Sequence, residues 1–286
     1  VPTDPSSPAV SVCVPVYQGA AHLESTLRSV LDQDADLEVV VRDNGSTDGS
    51  SDVVRALGDP RIRLVRVETT VPMAENWART VDLARADLVK IVCADDLVAP
   101  GTLAQQVATL VADPSLAMAV GRTDMIDGAG RTLFANRHLP RALLGSRPAA
   151  DVLRAVVRHG GNPIGPSAAV TFRRAQYEAI GGVDGTLLFT MDLDLWVRLL
   201  RHGGLHGAPG TAASFRVHAR SASAAATRAE FAVQREFTRR LAREAEQVIR
   251  RRDRAIGVVG SYTALARRYG LFVLGGLRKP ATAGRR

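Results

Sequence analysis

The sequence predicts an α/β protein in which helices flank a mostly parallel sheet and a helical extension follows at the C-terminus. Three observations carry that expectation. The runs VSVCVPVY (10–17), LEVVVR (37–42) and LVKIVC (88–93) are apolar and largely β-branched, without the in–out alternation of a half-exposed strand. Stretches with helical periodicity lie between them, and that alternation implies crossover connections and a sheet covered on both faces. From Arg216 onward the chain holds seventeen Lys or Arg against five Asp or Glu, much of it along a stripe with helical spacing.

The elements follow in order. AAHLESTLRSVLDQ (20–33) places Leu23, Leu27, Val30 and Leu31 on one helical face. After LEVVVR comes the loop DNGSTDGS (43–50), where Thr47 and Asp48 can cap a short helix reaching Leu57. RIRLVRV (61–67) makes a third strand, AENWARTVDLAR (74–85) a helix, and LVKIVC a fourth strand just ahead of Asp95 and Asp96. GTLAQQVATLVA and LAMAVG continue the alternation, and RTDMIDGAGRTLF (122–134) reads as a hairpin around Gly128 and Gly130. GGNPIGPSAAVTF (160–172) is a Gly- and Pro-rich loop entering a strand. TMDLDLWVRLLRHGG opens a helix near Asp192 that stops at Gly203, and TAASFRVHARSAS holds a strand ending around His218. Residues 229–252 read as one basic amphipathic helix, with Val233, Phe237, Leu241, Ala245 and Val248 on its apolar stripe. There is no internal repeat.

At 286 residues, 46% hydrophobic and 23% charged, the chain can bury a substantial core and has ordinary globular composition. Its net charge of +8 belongs to the tail, because residues 1–215 carry twenty basic against twenty-four acidic side chains. A nucleic-acid surface on the main body therefore gains no support. Cys13 and Cys93, the only cysteines, exclude a cysteine-cluster zinc site and are expected as buried, reduced thiols in apolar runs. VPTDPSSPAV lacks a signal-peptide pattern, and no apolar run nears the ~20 residues that cross a bilayer, so a cytoplasmic location is expected.

Ligands of open α/β sheets sit at the carboxyl ends of the strands. Three such ends are polar here: VPVYQG, VVVRDNGSTDGS and IVCADD. Asp43 could accept a hydrogen bond from a base N–H. Adjacent carboxylates raise each other's pKa unless a cation neutralises them. Asp95 and Asp96 could thus hold a ribose hydroxyl and a hard divalent metal, Mg²⁺ or Mn²⁺, lying on a diphosphate. Each motif alone also has a structural reading: an Asp-Asp turn, an ordinary cap at DNGSTDG, a structural His218. His202 and His206 have i, i+4 spacing, but Gly203 and Gly204 between them argue against a helical metal pair.

In order and spacing, the three motif-bearing segments together with GPSAAVTFRR, IGGVDGTLLFTMDLDLWVRLL and FRVHARSAS resemble family 2 of the glycosyltransferases, over residues 9 to 225. The resemblance implies a Rossmann-like GT-A fold and inverting transfer of a sugar, hexosyl or deoxyhexosyl, from a nucleoside diphosphate sugar to an acceptor hydroxyl. It implies a nucleotide-binding half at about 10–121 and an acceptor-binding half at about 122–225, between an N-terminal tail (1–9) and a basic extension (226–286). Pro15, Val16 and Tyr17 fall where the family lines its nucleoside pocket, Asp43 where it contacts the base, and Asp95 and Asp96 on its Asp-x-Asp-type motif. Asp96 is then the direct metal ligand, and His218 matches a His that completes the metal or diphosphate site. Asp192 falls on the catalytic base, although Met191 stands where the family's Glu-Asp motif has Glu. An acidic base contact favours UDP or dTDP, and the acceptor is a glycan, a lipid-linked saccharide or a natural product.

The two helical acids are separable by geometry. At about 100° per residue, Asp192 and Asp194 point about 200° apart, and Asp194 aligns with Arg198 at i+4. A carboxylate paired with Arg is a poor base, which favours Asp192. Two other classes stay open. A sugar nucleotidyltransferase expects a Gly-rich basic phosphate loop, which PVYQGAAHLE is not, and a non-catalytic scaffold would share the fold. A P-loop is absent. The tail's stripe, with Phe237 and Leu241 beside Arg239, Arg240 and Arg243, and the segment GLFVLGGLRK could lie on the inner face of an anionic membrane, pack on the main domain, or form a homodimer.

Overall fold

The computed structural model describes residues 7–218 and 228–274. In chain order the elements are β1 (Val10–Val16), α1 (Ala20–Leu31), β2 (Leu37–Asn44), α2 (Ser50–Leu57), β3 (Ile62–Val67), α3 (Met73–Val81), β4 (Leu88–Ile91), β5 (Leu97–Val98) and α4 (Thr102–Ala112). Then come β6 (Leu116–Ile126), β7 (Thr132–Arg137), β8 (Gly145–Arg147), α5 (Ala149–His159), β9 (Val170–Arg173), α6 (Arg174–Ala179), α7 (Met191–Leu199), β10 (Gly204–Arg216), α8 (Arg228–Glu244) and α9 (Arg251–Leu274). The strand read as ending around His218 ends at Arg216, and the end of GLFVLGGLRK lies outside the described residues.

One sheet runs β3-β2-β1-β4-β9-β6-β10-β5, with β7 on β6 and β8 on β10. The first four strands are parallel, in register Val16↔Asp43 and Cys13↔Ile91. Beyond β4 the sheet is mixed: β9 runs antiparallel to both β4 and β6, while β10 is parallel to β6. All seven residues of β1 are buried, as are Leu23, Leu27 and Val30 of α1. Chain order reverses at β1, which has β2 on one side and β4 on the other. The topological switch point, where such sheets bind ligands, therefore falls at the carboxyl ends of β1, β2 and β4. The 122–134 hairpin forms, its turn tied by Asp127 Oδ1, which accepts Ala129 and Arg131 N–H.

The second strand and the C-terminal helix differ from expectation. The second strand runs two residues further, through Asn44, because β1 and β3 hold it on both sides at Asp43. The expected helix over 229–252 breaks after Glu244, and α9 begins at Arg251. Asp253 causes the restart: its Oδ2 accepts the Arg250 N–H, as the third residue of a capping box does, and its Oδ1 pairs with Arg158 of α5 at 2.5 Å. Phe237, Leu241, Ala242 and Ile249 are buried in the main core. Val233 stays exposed. At Gly257 and Gly260 a Cβ would come within 2.3 Å of Val157 O and 2.2 Å of Arg158 O, so only glycine lets α9 lie this close to α5. No described helix is long and apolar enough to cross a membrane.

Candidate functional site

The loops after β1 and β2 are laced together. Asp48 was expected to cap the helix after β2. Its carboxylate joins the starts of two helices, accepting Ala20 N–H of α1 at 2.9 Å and Ser50 N–H of α2 at 3.1 Å. Burial opposes ionisation of Asp48, but these bonds and that of the Ser50 hydroxyl outweigh it and lower its pKa. Thr47 does not cap; it bonds the side-chain amide of Gln18, whose backbone takes φ 53°. Ser46 and Ser50 hydroxyls accept the N–H groups of Gln18 and Gly19. Pro15 and Val16 are buried at the base of this wall, and Tyr17 stands 55% exposed above it.

Asp43 departs from expectation. The longer strand carries it inward, where it is 0% exposed. Its Oδ1 accepts Ser46 N–H, its Oδ2 accepts the Ser51 hydroxyl, and Arg66 lies 3.5 Å away. It shapes the loop from below and is closed to direct contact with a base in this conformation.

Asp95 and Asp96 sit in the turn after β4 and behave differently. Asp96 is buried; its Oδ1 accepts Arg216 N–H at 3.0 Å, and its Oδ2 has no hydrogen-bond partner. Burial first, and Asp95 second, push its carboxyl well above the usual range. Asp95 is half-buried, with His218 Nε2 3.0 Å from its Oδ2. Arg216 holds the turn from β10, donating to the carbonyls of Asp95, Asp127 and Gly128. Neither Arg216 nor His22 was singled out from sequence. The His22 ring lies 5.4 Å from that of His218, and burial, Arg216 and His218 together lower its pKa although Asp95 raises it. Both are invisible to pattern reading, since α1 and β10 meet the turn only in three dimensions.

The acceptor-side acid comes from α7. Asp192 Oδ2 accepts a hydrogen bond from Asn162 Nδ2 at 3.2 Å. Asn162 knots the Gly-rich loop: Nδ2 also donates to Gly165 O, and Oδ1 accepts the N–H groups of Ile164 and Gly165. Trp196, on the same helix, donates to Gly165 O. Asp194 is turned into the core, paired with Arg198 at 2.6 Å. Cys93 feels the charge of both acidic groups. That thiol was expected to be buried in a strand, but it is half-buried, in a turn beyond the strand's end at Ile91. Its pKa is raised by burial, by Asp96 and Asp95, and more weakly by Asp192, against a Ser167 hydrogen bond.

Donor atoms of Cys93, Asp95 and Asp96 lie within 4.8 Å of one another. A buried carboxylate oxygen without a partner is costly unless protonated or bound to a cation. The carboxylates supply hard oxygens suited to Mg²⁺ or Mn²⁺, so this residue set fits a divalent ion. His218 Nε2 lies 3.0 Å from Asp95 Oδ2, at the edge of this cluster.

The glycosyl transferase family 2 profile matches residues 11–181. The chain belongs to that family. An uncharacterized protein of Mycobacterium tuberculosis, MT1568, is 32% identical over 206 residues, 70% of this chain and 64% of its own length. The chain therefore spans just under two thirds of that relative. Among solved structures, the mannosyltransferase PcManGT from Pyrobaculum calidifontis, in complex with GDP-Man and Mn²⁺, aligns with a TM-score of 0.60 and 24% identity, covering 97% of this chain and 82% of its own. S. aureus TarS 1–349 in complex with UDP-GlcNAc aligns with a TM-score of 0.64 and 16% identity, covering 91% and 72%. The family 2 chain described here shares their GT-A architecture, with its C-terminal helices folded onto the sheet domain.

Proposed function

We propose that this chain transfers a sugar from a nucleoside diphosphate sugar to an acceptor hydroxyl with inversion at the anomeric carbon. The observation that carries the reading is one buried carboxylate with an unanswered oxygen, Asp96, whose donor atoms lie within 4.8 Å of those of Asp95 and Cys93. Nucleotide-sugar complexes of TarS and PcManGT support the donor class. Pro15, Val16 and Tyr17 line the nucleoside side, with Asp43 fixing the loop beneath it and Asp95 near the ribose. Asp96 holds a divalent ion, Mg²⁺ or Mn²⁺, and His218 steadies Asp95 beside it. The ion, when bound, neutralises charge on the departing diphosphate.

Asp192 takes the proton of the acceptor hydroxyl as its oxygen forms a bond to the anomeric carbon. The bond from that carbon to the diphosphate oxygen breaks, and the diphosphate leaves with the electron pair. Base assistance of this kind contributes about 10²–10⁴-fold. Asn162 orients the carboxylate, and the helix start stabilises it as an anion, so its basicity rests on exclusion of water after both substrates bind. UDP or dTDP is the favoured nucleotide, and a glycan, lipid-linked saccharide or natural product the acceptor. Domain bounds follow as proposed from sequence, with 226–286 as the extension. Calorimetry with UDP, dTDP and GDP, with and without Mn²⁺, combined with a hydrolysis screen over nucleotide sugars, tests this reading. Absence of metal-dependent nucleotide binding would leave a scaffold.

A further inference from the structure

The structure moves the tail's exposed apolar surface to an unexpected place. Phe237 and Leu241 of α8, which the sequence left open to a membrane, to the main domain or to a second copy, are buried against the main domain. On α9 the opposite holds. Asp253, Gly257 and Gly260 face α5, while Val258, Val259 and Tyr262 are 53%, 64% and 54% exposed. At 100° per residue Ala255, Val258, Val259, Tyr262 and Ala266 share the outward face, and all five are exposed. Ile256, also exposed, borders it.

Charge decides what can cover this strip. Arg250, Arg251, Arg252 and Arg254 cluster at its N-terminal end, all exposed, and no described carboxylate pairs with their guanidinium groups. The only acid in α9, Asp253, is buried and committed to Arg158. The outer surface of α9 therefore carries apolar and cationic groups and no negative ones. A second copy in a parallel pairing would set these arginines against arginines. Arg235 lies over the Tyr262 ring at 5.0 Å, adding a cation beside an aromatic side chain suited to a headgroup boundary.

We propose that the outer face of α9 docks in the plane of an anionic lipid bilayer, with Val258, Val259 and Tyr262 in the acyl boundary and Arg250–Arg254 among the headgroups. Because α9 is seated on α5, whose C-terminus runs into the Asn162 loop, docking fixes the distance between membrane and site.

The test is flotation of the full chain with vesicles of phosphatidylcholine alone and of phosphatidylcholine with phosphatidylglycerol. Wild type floats with the anionic vesicles and dissociates with added salt. The Val258→Glu/Val259→Glu variant stays at the bottom with an unchanged unfolding midpoint. Arg251→Glu/Arg252→Glu weakens anionic-vesicle binding by roughly tenfold or more. Wild type that ignores anionic vesicles overturns the proposal, as do variants that float like wild type. A dimer in light scattering that Val259→Glu dissociates would give the strip to a second copy instead.

Discussion

The acidic pair in the β4 turn and the acidic pair on α7 look alike in sequence and differ in what each residue is left free to do. In the turn, neighbouring Asp95 and Asp96 diverge: one meets a histidine, and the other is driven inward with one oxygen held by a backbone N–H and one held by nothing. On the helix, spacing alone separates the residues: Asp194 is locked to Arg198 and Asp192 is presented to Asn162. The chemistry of a carboxylate here follows from which partner the fold supplies, and the orphan oxygen of Asp96 is the extreme case.

The largest expected effect comes from that oxygen. Asp96→Ala should abolish transfer and weaken Mn²⁺-dependent nucleotide binding; near-wild-type turnover at ordinary metal concentration would remove Asp96 as a ligand. Asp192→Asn should keep donor and metal binding but lose turnover by about a hundredfold or more. Should Asp192→Asn stay active while Asp194→Asn is folded and inactive, the roles on α7 must be exchanged. Asp194→Asn should instead destabilise the fold by about 3 kcal/mol, because Arg198 is left buried without its counter-ion. Denaturant titration of purified variants measures that difference.

The remaining prediction probes a charge outside both pairs. Lys90 is fully buried, its Nζ donating to Ala168 O, and burial lowers its pKa to about 7. A depressed lysine binds its proton more weakly folded than unfolded, so its contribution to stability rises from about pH 7 towards the unfolded pKa of ~10.4. Thermal unfolding of wild type relative to Lys90→Met should therefore improve as pH is raised through that window. A flat difference would mean that Lys90 titrates as it does in water.

Period and composition sufficed for the strands and helices of the parallel half, because β-branched runs and 3.6-residue stripes encode burial locally. They also sufficed to separate Asp192 from Asp194, since helical angle is a local property. They were insufficient wherever a partner is distant in the chain. Asp43 is closed off because its strand is extended between two neighbours, and Asp48 caps α1, 28 residues away, as well as α2. Arg216 reaches Asp96 across 120 residues.

The extension draws the same line. The sequence by itself determined that this extension is basic and carries a helical apolar stripe, because those are properties of spacing and charge. Only the tertiary structure decided where that helix breaks and which face meets solvent. Buried Asp253, paired with half-buried Arg158, restarts the chain as α9, and Gly257 and Gly260 seat it on α5, turning Val258, Val259 and Tyr262 outward. Spacing can say that a face is apolar; only the packing of the neighbouring helix, which no local pattern records, says whether that face is already covered.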